Sequence, residues 1–547
     1  MAAVLLLYKV VDCPVKSHGL WLSVLENRLK DSQYRCQKFR NKIQIWDVEQ
    51  ALKITLKKEV AFRDGIEISR VSMRGIGSDT LIGINLCRIF FKDGESSPAR
   101  ESTSALFQNA QSPPVLLHLP LLPELRKLIS FINEASPIIS HVQHLDYTSV
   151  SPQIGLRFTD ASTTLYAQSA QQTASYSSNL LKYIRTKHAK NTKDLELALI
   201  TLFSDNEKES SEYVAGVSRI LNKEWGCVVS EVHVSNIDTL KDWMKSETTY
   251  PKVALVALDG KAGDRPSKEA LSWIHTLKAQ SIDYVIFSAN SDVPIAFRNH
   301  GTATHVISKL GGYHYHTVSE SVPDLPEHWC IGLDLGYGAL HIAQAAIITL
   351  TDGKGRLRAY WRAIKDIGET LPPDILKEGI TWVVNQAEEI APGKKFLAFR
   401  DGGRPRDEPL RLYKDLLPNG RSTLIEYAKR GNPMMLNDGK QPLPGTMCTS
   451  TDSPDSFLFT VQAPLTGSLT GTVKFFTEHN ELDYTKQQIG EILTALCFAP
   501  KLSFQPSRLP APIYWADGLA SLSGANLQFG GWSTIPSETV DYRTKPT

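Results

Sequence analysis

HWCIGLDLG (328–336), IAQAAIITL (342–350) and LRAYWRA (357–363) joined by TDGKG (351–355), then PPDILKEGITWVVNQAEEIAP (372–392) and KKFLAFRDGG (394–403), form the stretch that decides the fold. The first run is apolar and short enough for a buried strand, and the next two flank a Gly-containing turn, which predicts an antiparallel hairpin. The longer segment has apolar residues at helical spacing, with Pro at its entrance and exit. The last run is again a strand, and it ends in Asp401 as the first ends in Asp334.

A strand, an antiparallel hairpin, a helix and a returning strand make the opening of a ribonuclease H-like sheet, in which the first and last strands are parallel neighbours. Asp334 and Asp401, 67 residues apart in sequence, then project at one sheet edge. Two carboxylates so placed repel each other unless a cation shares them. Hydrolysis of a phosphodiester with two metal ions uses such a pair of hard oxygen ligands. GLDLGYG also resembles the first phosphate loop of actin-like sugar kinases and chaperone ATPases, but no second Gly-rich phosphate loop or adenosine motif follows.

Upstream, the chain from Leu195 alternates strands and helices: LELALITLFS, a helix to about Leu221, CVVSEVHV, a helix near Ile237–Lys245, PKVALVALDG, a helix at Lys268–Ala279, DYVIFSA, and a helix ending in SKLGG. That order predicts a parallel sheet with covering helices. Residues 1–92 mix strands (Ala2–Val11, Lys42–Trp46, Thr80–Phe91) with a helix at Leu20–Asp31, a small α+β module. Residues 93–114 and 167–179 are rich in Ser, Pro, Gly or Gln and are expected to connect domains. KYIRTKHAKNTK (182–193) gathers Lys182, Arg185 and Lys187 around aromatic rings, a pattern that tracks a phosphate backbone or is simply a solvated face.

Composition bounds the classes. The 547 residues carry 60 Lys+Arg against 58 Asp+Glu, a net charge of +2, so nucleic-acid binding has to come from local patches. Seven cysteines (13, 36, 87, 227, 330, 448, 497) show no CxxC and no zinc spacing, which predicts a reducing cytoplasm and no structural zinc. No run approaches the length of a membrane helix, and no secretory leader is expected.

Three segments together, IGLDLG (331–336), FLAFRDGG (396–403) and PAPIYWADGLAS (510–521), resemble the PIWI domain of prokaryotic Argonaute proteins, and HVISKLGG (305–312) resembles the end of their MID domain. The resemblance covers about residues 195–530. It implies an α/β chain with a Rossmann-like MID domain (195–325) and a ribonuclease H-like PIWI domain (326–547). An N-like α+β region with its linker (1–150) and a linker with the basic cluster (151–194) precede them. It also implies a catalytic tetrad of four acids: Asp334, Glu369, Asp401 and Asp517, with Asp366 the runner-up to Glu369. Asp334, Asp401 and Asp517 would hold two Mg²⁺ or Mn²⁺ ions, Glu369 would order water, and Arg400, Arg404 and Arg406 would contact phosphates.

The guide's 5′ end would lie against Lys309 and His305, with Tyr284 where the family has Gln and with His275 or Lys278 where it has the first Lys. Both a 5′ phosphate and a 5′ hydroxyl remain open there. The N-terminal part is too short for an N domain and a PAZ domain together, so a compact chain without PAZ is expected. The tail SETVDYRTKPT is polar and is expected to be flexible. The resemblance implies a guide-dependent endonuclease in defence against invading DNA, with a short guide, DNA or RNA, and a complementary target as its partners. The alternative is a non-cutting recognition module that signals to a protein partner encoded nearby.

Overall fold

In the computed structural model, the described residues are 4–10, 18–30, 32–39, 42–49, 53–54, 60–74, 81–92, 130, 139–141, 148–150, 154–158, 164–166, 195–203, 207–248, 250–258, 268–280, 282–288, 295–309, 315–319, 321–337, 343–367, 372–402, 410–429, 431–436, 442, 445–450, 453–460, 472–499, 507–523 and 540–543. The chain divides into two compact units. One comprises Met1–Pro152, Glu426–Glu478 and Tyr484–Gly490, and the other the remainder.

The first unit is mainly antiparallel β. Strands Tyr34–Lys38, Lys42–Asp47, Val60–Arg70, Leu81–Lys92, Leu7–Val10 and Ile139–His141 follow one another across a sheet, with the helix His18–Leu29. Its core is built from distant parts of the sequence: Leu5, Leu7, Val71, Met73 and Leu81 pack with Met435, Cys448, Phe457 and Phe459. Val4–Leu5 pairs antiparallel with Met435–Leu436, and Thr148–Val150 with Met447–Thr449. Arg74 bridges the buried carboxylates of Glu426 (2.7 Å) and Asp455 (3.3 Å) and lies 3.8 Å over the Phe476 ring.

The second unit holds the α/β alternation expected from the sequence. Strands β1 (Leu195–Phe203), β2 (Val229–Val234), β3 (Lys252–Leu258) and β4 (Asp283–Ser288) form a parallel sheet in the order β2-β1-β3-β4. Helices α1 (Glu207–Trp225), α2 (Ile237–Lys245), α3 (Lys268–Ala279) and α4 (Ile295–Lys309) follow the strands in turn. Asn236 sets the start of α2, since its side chain accepts from the Asp238 and Thr239 amides while the Thr239 hydroxyl closes the capping box. The stretch expected as a linker carries two strands, Ile154–Phe158 and Thr164–Tyr166, and the first pairs with Tyr315–Ser319.

The ribonuclease H-like part begins with β5 (Trp329–Tyr337), β6 (Ala343–Asp352) and β7 (Leu357–Ile367), followed by α5 (Pro373–Ile390) and β8 (Phe396–Asp401). Strands β5 and β6, like β6 and β7, are antiparallel, while β5 and β8 are parallel. Strand β9 (Ser422–Ala428) follows β8 in the sheet. Helix α6 (Ala511–Ser523) lies on the sheet face opposite α5.

The tail departs from expectation: β10 (Val540–Arg543) pairs parallel with β7 at the sheet's margin. Its backbone hydrogen bonds need no apolar side chains, which is why a polar sequence forms it. None of the six described cysteines is in a disulfide. Among the described residues, no helix is long and apolar enough to cross a membrane.

Candidate metal centre

Strand alternation puts Ile331, Leu333 and Leu335 on the face that packs against α5, and Gly332 and Asp334 on the other. The parallel register pairs Gly332 with Phe399 and Leu333 with Arg400, so Asp334 and Asp401 are the next residues along the two strands. Phe396 and Ala398 belong to the α5 face, which sets Asp401 on the face of Asp334. Gly402 then turns the chain with φ 78°, a left-handed conformation that suits glycine and explains the RDG sequence.

The third acid arrives on a helix held by its neighbours on the sheet. A side chain at Gly332 would stand 2.2 Å from the Pro512 carbonyl oxygen, so only glycine lets α6 approach β5 this closely. Thr349 Oγ1 donates to that same carbonyl at 2.9 Å, and Trp515 Nε1 donates to the Gly355 carbonyl at 3.1 Å. Trp515, Ala516 and Leu519 pack in one core with Ile347 and Tyr360 from the ribonuclease H-like sheet and with Ala198, Val256 and Ile286 from the parallel sheet. Burying Ile513 and Leu519 stabilises the arrangement by about 1.5–3 kcal/mol each. Asp517, five residues beyond Pro512, is thereby brought over the strand ends.

Carboxylate oxygens of Asp334, Asp401 and Asp517 lie within 4.8 Å of one another, and each residue is partly buried. Asp334 Oδ1 also accepts the Leu335 amide at 2.8 Å. Three hard oxygen donors converging from two strand ends and a helix fit Mg²⁺ or Mn²⁺, which take carboxylate ligands in preference to softer ones. Beside them, burial and then the Asp517 charge push the Tyr514 hydroxyl above its usual range.

Other expected residues fall elsewhere. Glu369, Arg404, Arg406, Lys182, Arg185 and Lys187 lie outside the described residues. Asp366 belongs to β7 rather than to the loop after it, and its side chain is outside the described set. Arg400 is 5% exposed, alternates onto the other face of β8 from Asp401, and donates through Nη1 to the Asp401 carbonyl. Arg400 is the penultimate residue of the strand and takes the face that alternation dictates.

In the parallel-sheet part, Lys309 ends α4 and is 4% exposed, with Nζ 4.7 Å from the centroid of the buried Tyr284 ring. His305 is one turn earlier on α4, and burial, then the Lys309 charge, pull its pKa down to about 4. His305 is therefore uncharged at neutral pH. His275 and Lys278 belong to α3, and their side chains lie outside the described residues. Sequence reasoning missed Gly332 and Thr349, whose only signal is their position on the strands beside Asp334.

The same arrangement of a parallel α/β sheet and a ribonuclease H-like sheet recurs in solved structures. The Argonaute of Marinitoga piezophila, in complex with a 5′ OH guide RNA and target DNA, superposes with a TM-score of 0.62 at 13% identity, over 94% of this chain and 86% of that one. The fold is that of the Argonaute proteins. Clostridium butyricum Argonaute, bound to a guide DNA and a 19-mer target DNA, gives a TM-score of 0.59 at 13% identity, over 96% and 87%. Drosophila Piwi gives 0.53 at 12%, over 98% and 90%. No family model and no curated protein matches the sequence. The α/β architecture of this chain matches the MID–PIWI architecture of that fold.

Proposed function

We propose that this chain is a guide-dependent endonuclease: a bound short guide pairs with a complementary target, DNA in the first instance, and the PIWI centre cuts it. The observation that carries this reading is the convergence of Asp334, Asp401 and Asp517 to within 4.8 Å. Such a cluster is electrostatically unfavourable by itself and becomes favourable with divalent cations. Asp334 and Asp401 would hold the ions from adjacent strand ends and Asp517 from above, with Glu369 from the loop after β7 as the expected fourth acid. Two divalent ions bound there supply activation of a water and stabilisation of the leaving oxygen. The protein's own part is to fix three ligands on rigid elements, so that little reorganisation is needed when the scissile phosphate arrives.

The guide's 5′ end is assigned to the pocket of Lys309, Tyr284 and His305, where Lys309 supplies the charge and Tyr284 an aromatic surface. With no PAZ domain in this reading, the guide's 3′ end is left unanchored. Defence against invading DNA in the cytoplasm is the role that fits such an enzyme. The test is cleavage of a labelled single-stranded target in Mg²⁺ or Mn²⁺ with matched and mismatched DNA and RNA guides, for wild type and Asp401→Ala. A cut at a fixed distance from the guide's 5′ end, lost in the variant and with the mismatched guide, is expected. Tight guide binding with no cut under any of these conditions would sink the nuclease reading.

A further inference from the structure

The parallel sheet ends on β2, which has β1 on one side and no strand on the other among the described residues. Its register with β1 runs from Val229 to Val234 without a shift, and the strand contains neither proline nor lysine. Sheet edges are ordinarily blunted by prolines, lysines or bulges, because a straight bare edge accepts another strand. The Leu195 amide donates to the Val228 carbonyl at 3.0 Å, and in a parallel ladder this sets the N–H and C=O groups of Ser230, Val232 and Val234 toward β1. Those of Val229, Glu231 and His233 point the other way, along the outer edge.

Ser230, Glu231 and His233 are exposed, whereas Val232 is partly buried and packs against the core that holds Leu240 and Trp243 of α2. Two exposed apolar residues flank the strand: Val228, 57% exposed, and Ile237, 40% exposed. When a strand pairs antiparallel with its own copy, the two-fold axis passes through a residue position, since outward-facing backbone groups have to meet outward-facing ones. An axis at Glu231 sets carboxylate against carboxylate, which is repulsive. An axis at Ser230 or His233 shortens the paired segment. An axis at Val232 pairs all of 230–234, places Glu231 opposite the partner's His233 on both sides, and sets Val232 on the partner's Val232. A carboxylate accepts from an imidazole N–H in either charge state of the ring.

We propose that the outer edge of β2 is an interface between two copies of this chain, which join their parallel sheets into one continuous sheet through antiparallel β2–β2 pairing centred on Val232. This goes beyond the guided-nuclease reading and does not depend on it. Backbone hydrogen bonds of Glu231 and His233 hold the two edges together, and the paired Glu231–His233 contacts fix the register. Val232, with Val228 and Ile237 at the two ends of the strand, adds apolar area. An edge of 6 residues buries less than the roughly 1,200–2,000 Å² of a stable interface, so the association is weak and depends on concentration.

The test is sedimentation velocity of the full chain, without nucleic acid, from low to high micromolar concentration, with thermal melts to check folding. Wild type is expected to pass from monomer to dimer over this range. Glu231→Pro lacks an N–H that faces the outer edge and not β1, so it should fold and remain a monomer. Glu231→Lys sets Lys against the partner's His233 and should weaken dimerisation about tenfold, and adding His233→Glu should restore it. Val232→Cys should give a disulfide-linked dimer on oxidation in excess of wild type, because residues opposed at a non-hydrogen-bonded position have Cα atoms about 4.5 Å apart. If Glu231→Pro fails to fold, the Lys variant and its rescue carry the comparison. A wild type that stays monomeric throughout, or a dimer indifferent to these substitutions, would overturn the interface.

Discussion

In the proposed metal centre, Asp401 serves to hold ions and not to stabilise the chain. With like charges this close, Asp401→Asn should leave the melting temperature in chelator unchanged or slightly raised, because it removes repulsion and no packing. Millimolar Mn²⁺ should raise the wild-type melting temperature and not that of the variant; at a hundred times the dissociation constant, binding adds about 2.7 kcal/mol. Differential scanning fluorimetry reads both effects, and an equal shift in the two proteins would place the ions elsewhere. His305 supplies a pH signature. Its pKa falls from 6.5 to about 4 on folding, so the unfolded chain takes up the proton first as the pH drops. Stability is therefore full above pH 6.5 and is lost progressively down to about pH 4, by on the order of 3 kcal/mol at about 1.4 kcal/mol per unit. Urea midpoints at pH 7 and pH 4.5 should differ less in His305→Gln than in the wild type, and equal differences would refute the shift.

Helix α6 makes the centre depend on one glycine. Gly332→Ala sets a methyl carbon 2.2 Å from the Pro512 carbonyl oxygen, so the helix has to move off β5. The expected cost is about 1–3 kcal/mol, typical of overpacking. Metal-dependent cutting should fall far more than stability does, since Asp517 leaves its partners; full activity with normal ion affinity would contradict this seating. The elements themselves were largely legible: α2 and α3 have the bounds that periodicity gives, and β5, β6, β7, α5 and β8 appear in the order read from 328–403. They were readable because each is long, apolar at a clear period, and bounded by Pro, Gly or Asp. Asp334 and Asp401 were legible as strand-end acids, whereas Asp517 was visible only through the YWAD resemblance, because helical spacing does not say which sheet a helix crosses. Strands such as Met435–Leu436 and Met447–Thr449 are too short to show any period, and their partners lie hundreds of residues away.

At the scale of the whole chain, the first 152 residues and the distant segment Glu426–Glu478 complete each other within the first unit. Removing residues 1–152 strips Leu5, Leu7, Val71, Met73 and Leu81 from Met435, Cys448, Phe457 and Phe459, and leaves Glu426 and Asp455 without Arg74. Breaking a buried ion pair by removing one partner costs about 3–5 kcal/mol. A fragment beginning at residue 153 is therefore expected to aggregate or bind a hydrophobic dye on purification, whereas the full chain stays in solution; a monodisperse, cooperatively melting fragment would disprove the shared core. The carboxylates stand apart from this interdependence, being only partly buried and set on elements held by other residues. Aspartate and asparagine codons differ by a single base, so on the proposed reading one point mutation at 334, 401 or 517 would end the chemistry while leaving the scaffold and its proposed grip on nucleic acid intact. On that reading, a lineage carrying this fold would drift from cutter to binder in one inherited step, and return by the same step.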